Sequence, residues 1–324
     1  MISKRHLLGA LAASPFAASL AWAQPTWPNK PLRILVGFPA GSTPDLMARA
    51  LSEGLARLLG QTVVVDNKPG ASGNIAADQL AKATDEHTLG VLINGNLTVA
   101  KLLNPATPFD PARDFAPISL LGTAPLVLTA AGSAVGSTPA ELLQWARSLG
   151  DKGNYGTPGN GTVGHLGMEL LKSKTGIAAV HVPFPGNPQV ANALLAGQIQ
   201  LSLLPPAIAM PHVKAGKLKA IGISSPARSS LVPDMPTLRE AGVSGTDLEI
   251  WTALVGPASL PKPAIARLAA AIAEVMHQPD TQARVLAAGW QAVGSAPEGL
   301  SQRMKADTTV LSEIITTRGI KADS

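Results

Sequence analysis

Two loops in this chain carry the residue types from which a small-anion site can be built. The first is Gly37-Phe38-Pro39-Ala40-Gly41-Ser42-Thr43-Pro44-Asp45, and the second runs Asn154-Tyr155-Gly156-Thr157-Pro158-Gly159-Asn160-Gly161-Thr162-Val163-Gly164-His165. Each precedes apolar residues at helical spacing: Met47, Leu51, Leu55, Leu58 and Leu59 after the first, Leu166, Leu170 and Leu171 after the second. Glycines let backbone approach a ligand closely, and a helix start offers N–H groups that have no acceptor inside the helix. Those donors lie at the positive end of the helix dipole, so both loops read as anion cradles. Ser42 or Thr43 is expected to cap the first helix, Pro44 suits its first turn, and Asp45 complements the dipole. His165 falls in the first turn of the second helix, where it can face a ligand or cap the helix.

Other chemistries fit less well. Gly159, Gly161 and Gly164 spell the dinucleotide pattern G-x-G-x-x-G, which also requires an acid about 20 residues on for the ribose. No Asp or Glu stands between Glu169 and Asp234, so the loop is read as a neutral cradle. The chain has no cysteine, which excludes thiol nucleophiles, thiolate metal sites and disulfides. His87, His181, His212 and His277 lack partners at ligating spacing, so no metal is expected. Ser42, Ser72, Thr162 and Ser224 carry hydroxyls, yet none stands in a G-x-S-x-G nucleophile elbow. A secreted hydrolase would need its triad assembled in space. The reading is therefore of a non-enzymatic protein with no catalytic residue and no cofactor.

The elements that must hold these loops alternate strand and helix. Leu32–Val36, Thr62–Asp66 and Thr88–Ile93 read as strands, separated by helices, with Asn94-Gly95-Asn96 closing the third at the same end as the first loop. Such alternation predicts a parallel sheet covered on both faces, with ligand at the carboxyl ends of its strands. Phe115 to Ala140 is uncharged, but its prolines and glycines argue for buried strands over a membrane helix. A second α/β unit follows: helix 139–149, the second glycine loop, strand 177–182, helix 188–196, and strands 199–204 and 219–224. The Pro/Ser/Gly-dense stretch 225–247 leads to a strand at 248–255 and then to helices near 265–276, 279–288 and 297–318, which are expected to pack back on the first unit. The expected division is 1–23 as a signal peptide, 24–125 with 249–324 as lobe 1, and 126–248 as lobe 2. A chain that crosses twice between two lobes is built to hinge.

The signal peptide rests on Lys4 and Arg5, an apolar run from Leu7 to Leu20, and Ala21-Trp22-Ala23 before Gln24. It implies export to the periplasm with cleavage after Ala23. In 324 residues, 26 basic side chains stand against 21 acidic ones and there is one tyrosine, so no basic-aromatic surface for nucleic acid is expected.

Several fragments in one order resemble the Bug-type extracytoplasmic solute receptors of tripartite tricarboxylate transporters. They are Trp27-Pro28-Asn29-Lys30-Pro31-Leu32-Arg33, the 38–45 loop, Gly60 to Gly70, Gly73-Asn74-Ile75, Pro108-Phe109-Asp110-Pro111, the 155–165 loop, His181-Val182-Pro183-Phe184 and Pro233-Asp234-Met235-Pro236-Thr237. The resemblance implies a two-lobed type II periplasmic binding fold that closes on a small organic carboxylate, delivered to membrane permease subunits by a monomeric receptor. An orphan sensor presenting its ligand to a membrane signalling protein stays open as an alternative. By position, the resemblance nominates Phe38, Ala40, Gly41, Ser42, Thr43 and Asp45 from one loop, with Thr157, Gly159, Asn160, Gly161, Thr162 and His165 from the other. Asn94 at the third strand end and Phe184 complete the expected ligand-binding set. The chain also departs from the family pattern: Ser42 replaces a second glycine, Phe184-Pro185-Gly186 replaces Tyr-Lys-Gly, and Leu201-Ser202-Leu203-Leu204-Pro205 lacks an acid. These departures predict a less polar carboxylate than a hydroxylated or amino diacid.

Overall fold

The computed structural model describes residues 27–321, so the expected signal peptide and its cleavage site lie outside the described residues. Eleven strands are described: β1 Leu32–Val36, β2 Val63–Asn67, β3 Thr88–Ile93, β4 Phe115–Pro125, β5 Val127–Ala131, β6 Asn154–Thr157, β7 Val180–Pro183, β8 Leu201–Leu204, β9 Leu218–Ile223, β10 Glu249–Pro257 and β11 Gln291–Ala292. They form two sheets, ordered β11-β4-β10-β3-β1-β2 and β7-β6-β8-β5-β9. The helices are α1 Thr43–Leu59, α2 Asn74–Ala81, α3 Asn94–Thr98, α4 Ala100–Leu103, α5 Pro111–Asp114, α6 Pro139–Ser148, α7 Val163–Thr175, α8 Asn187–Leu195, α9 Pro206–Lys214, α10 Lys262–Met276, α11 Pro279–Ala287 and α12 Pro297–Arg318.

The central strands of each sheet are buried on both faces; successive side chains point to opposite faces, so these strands read as near-continuous apolar runs. Leu32, Ile34 and Val36 face Met47, Leu51 and Leu55 of α1 and Leu268, Ile272 and Val275 of α10. Leu35 points the other way, to Ala76, Ala77 and Leu80 of α2 and Leu300 and Met304 of α12. In the second sheet Tyr155, Leu201 and Leu203 pack with Leu166 and Leu171 of α7, while Val127 and Leu204 pack with Val190 and Leu194 of α8.

The expected parallel sheet is half of what forms. β1 pairs parallel with β2 and β3, and β6 with β7 and β8, but β10 runs antiparallel to both β3 and β4, and β5 antiparallel to β8 and β9. The reversal comes from the crossings, because β4 and β5 are separated by Leu126 alone and β10 enters as the chain returns. Helix α9 begins at Pro206, a first-turn position where the missing N–H costs nothing, and carries Pro211 inside it. The expectation that the terminal helices pack on the first sheet holds for the start of α12. Its last turns place Leu311, Ile314 and Ile315 in the core of the second.

Candidate functional site

The carboxyl ends of β1 and β3 in one sheet and of β6 in the other open on the same cleft. Helix α1 starts there from Ser42, whose extended backbone occupies the cap position without a capping side-chain bond. Asp45 takes over loop bracing: its carboxylate accepts from Gly41 N at 2.9 Å, Asn67 Nδ2 at 2.9 Å and Arg49 Nε at 3.0 and 3.1 Å. Burial raises the Asp45 pKa, but the hydrogen bonds from Arg49, Gly41 and Asn67 outweigh it and hold the group below the ordinary aspartate value. Ser42 is 1% exposed, and its Oγ is buried with no hydrogen-bond partner among the described residues.

Helix α7 starts from Thr162, a true side-chain cap that accepts from His165 N and donates to Gly159 O at 2.8 Å. The loop ahead of it is held from behind. Thr157 Oγ1 accepts from Gly159 N at 3.2 Å and lies 2.6 Å from His181 Nε2, and Gly161 N donates to His165 Nδ1 at 3.2 Å. The His165 ring stacks on His181 at 4.2 Å, which stacks on Tyr155 at 5.0 Å. Tyr155 in turn donates to Glu169 at 2.5 Å, beside Lys172. Burial raises the Glu169 pKa, yet hydrogen bonds from Lys172 and Tyr155 carry it below the usual glutamate value.

Between the two helix starts lies a narrow chamber with a volume of about 40 Å³. Of the expected ligand-binding residues, Phe38, Ser42, Thr43, Asn94 and Thr162 line it. Asn160 and Gly161, again with Thr162, line a neighbouring polar cavity together with Ser72, Asn74 and Asn96. The remaining nominees are placed elsewhere. Ala40 and Gly41 are exposed, Asp45 is buried in the bracing of the first loop and Thr157, Gly159 and His165 in that of the second, and Phe184 packs partly buried beneath Gly156.

Sequence spacing gave no signal for several wall residues. Asn187, the first residue of α8, donates from Nδ2 to Thr43 Oγ1 at 3.1 Å across the cleft. Trp251 and Trp290 line the chamber with Ile250, Leu203 and Leu126, and pattern alone makes such residues core. The two halves also touch directly: a Cβ on Gly95 would lie 2.5 Å from Gly161 O, and one on Gly159 would lie 2.3 Å from Ser72 Oγ. The lobes are closed against each other.

Two α/β lobes joined by two crossings, with paired helix starts facing a shared cleft, define a periplasmic-binding-type solute receptor. A profile of the family described as "Tripartite tricarboxylate transporter family receptor" matches residues 47–320, and the chain belongs to that family. It is similar to protein BugT of Bordetella pertussis, 32% identical over 236 residues covering 72% of each chain. Among solved structures it resembles MatC of Rhodopseudomonas palustris with bound malate, at 31% identity and TM-score 0.84, covering 89% of this chain and all of that one. The R. palustris protein Rpa4515 with adipate matches at 27% identity and TM-score 0.87, covering 92% of this chain and all of that one. The resemblance expected from sequence fragments is thus shown, and with it the Bug-type fold.

Proposed function

We propose that this receptor captures a small organic carboxylate between its lobes and presents it to the permease subunits of a tripartite transporter in the periplasm. The observation that carries this reading is the convergence of the α1 and α7 starts on one chamber, with Ser42 Oγ buried there and unpartnered. By position, the N–H groups of Thr43, Val163 and Gly164 have no acceptor within their helices, so they are available to a carboxylate. Relatives solved with malate and with adipate support an acid as ligand. The lobes divide at 125/126 and 248/249, and one chain supplies both walls of the chamber, which favours a monomer as the working unit.

A thermal-shift screen tests the reading. Carboxylic acids are compared with the neutral amides of the same skeletons, using mature protein freed of co-purified ligand by unfolding and refolding. An acid at 100 times its Kd adds about 2.7 kcal/mol to the folded state. Acids are expected to raise the Tm and their amides to leave it unchanged; equal shifts from both would remove the carboxylate from the interpretation.

A further inference from the structure

Asparagine at a helix start commonly spends its side chain on a cap. In α8 the cap position belongs to Gly186, in extended conformation and with no side-chain capping bond, so the amide of Asn187 is not spent on its own helix. It reaches across the cleft instead, where Nδ2 donates to Thr43 Oγ1 at 3.1 Å. The α8 start meets the first loop at a second point, since a Cβ on Gly186 would lie 3.3 Å from Pro39 Cδ. Thr43 is itself fixed: it is 2% exposed, and its carbonyl accepts from Trp290 Nε1 at 3.3 Å.

The direction of the Asn187 bond decides what Thr43 can do. A hydroxyl carries one proton and two lone pairs, whereas an amide nitrogen offers protons only. Because Thr43 Oγ1 accepts from Asn187, its own proton points elsewhere, and no acceptor among the described residues takes it. Thr43 lines the chamber beside Ser42. A buried donor without an acceptor is costly, and a hydroxyl that accepts one bond donates the next more strongly. We propose that Asn187 is a positioning residue: on closure it occupies one lone pair of Thr43 Oγ1 and so turns the hydroxyl proton towards a ligand carboxylate at the α1 start. The donor belongs to one lobe and the residue that aims it to the other, so the full donor set exists only in the closed receptor. This rests on the carboxylate reading above and adds to it the side chain that couples closure to ligand affinity.

Isothermal titration with malate, adipate, hexanoate and benzoate tests it, on the refolded mature chain and on Asn187→Leu, Thr43→Val and the double variant. For whichever acid the wild-type chain binds most tightly, Thr43→Val removes the donor and should cost about 100-fold in affinity, while Asn187→Leu only releases the donor from its aim and should cost about tenfold. The double variant should match Thr43→Val, because Asn187 acts through Thr43. Equal losses in the two single variants would reduce the contact to a latch between the lobes. Losses that multiply in the double variant would show that Asn187 acts without Thr43. Either result overturns the inference and leaves the carboxylate reading intact. Asn187→Asp supplies a second readout: its carboxylate accepts the Thr43 proton and reverses the bond, so it should bind the acid more weakly than Asn187→Leu, and wild-type affinity there would also overturn the inference. Thr43→Ser keeps the hydroxyl and should stay within about threefold of wild type; a loss as large as that of Thr43→Val would assign the effect to packing of the methyl group. Silence of the wild-type chain towards all four acids would overturn the carboxylate reading, and the role of Asn187 with it.

Discussion

At the scale of single residues, the first loop divides its labour between two side chains three positions apart. Asp45 secures the loop, while the Ser42 hydroxyl is buried with no partner among the described residues. The acid has a depressed folded-state pKa, so its contribution is present above the ordinary aspartate value, about 3.9, and is lost as the pH falls through the folded value. Asp45→Asn is expected to cost about 1–3 kcal/mol at pH 7, because Arg49 and Gly41 N lose a charged acceptor. Urea titrations should show the gap between variant and wild type narrowing below about pH 4. A gap constant from pH 7 to pH 3 would mean that packing, not charge, fixes the residue. The residue types in both loops were legible in sequence. Which of them face ligand was not, because Asp45 and His165 can turn either way from a helix start, and only their partners Arg49, Gly41, Gly161 and His181 decide.

At the scale of elements, the approach of α3 to the loop before α7 sets how far the cleft can close. Gly95 lies in a helix, where alanine is preferred by about 1 kcal/mol, yet its Cβ would meet the Gly161 carbonyl at 2.5 Å. Gly95→Ala should therefore leave the unliganded Tm near wild type while weakening ligand binding about tenfold, ~1.4 kcal/mol, as read by calorimetry. X-ray scattering should find its ligand-bound form more open than wild type. Gly161→Val adds backbone strain, since φ is +74°, and a clash with Leu103 at 2.3 Å. Its affinity loss should exceed that of Asp45→Asn; wild-type affinity in Gly161→Val would refute the placement of this loop at the ligand.

At the scale of the molecule, both crossings between the lobes pass Ser224. Its Oγ accepts from Leu126 N at 2.9 Å and donates to Leu248 O at 2.6 Å. Its backbone N donates to Leu126 O at 2.8 Å, and its O accepts from Leu248 N at 2.8 Å. Ser224→Ala leaves a buried N–H and a buried carbonyl unsatisfied, with an expected cost of about 1–3 kcal/mol. Equilibrium urea unfolding with an unchanged m-value would report it. A loss below ~0.5 kcal/mol would show that the backbone pairs alone hold the crossings together.

The sequence by itself determined most of the elements and their alternation, though not α9, together with the two glycine loops at strand ends and the family, because periodicity, caps and glycine positions are local properties of the chain. Tertiary structure alone decided strand direction, the two-residue strand β11, the α12 bridge between cores, and the chamber wall. Asn187, Trp251 and Trp290 reach that wall from segments far apart in sequence. Their side chains acquire a common purpose only when the sheets set those segments opposite one another across the cleft.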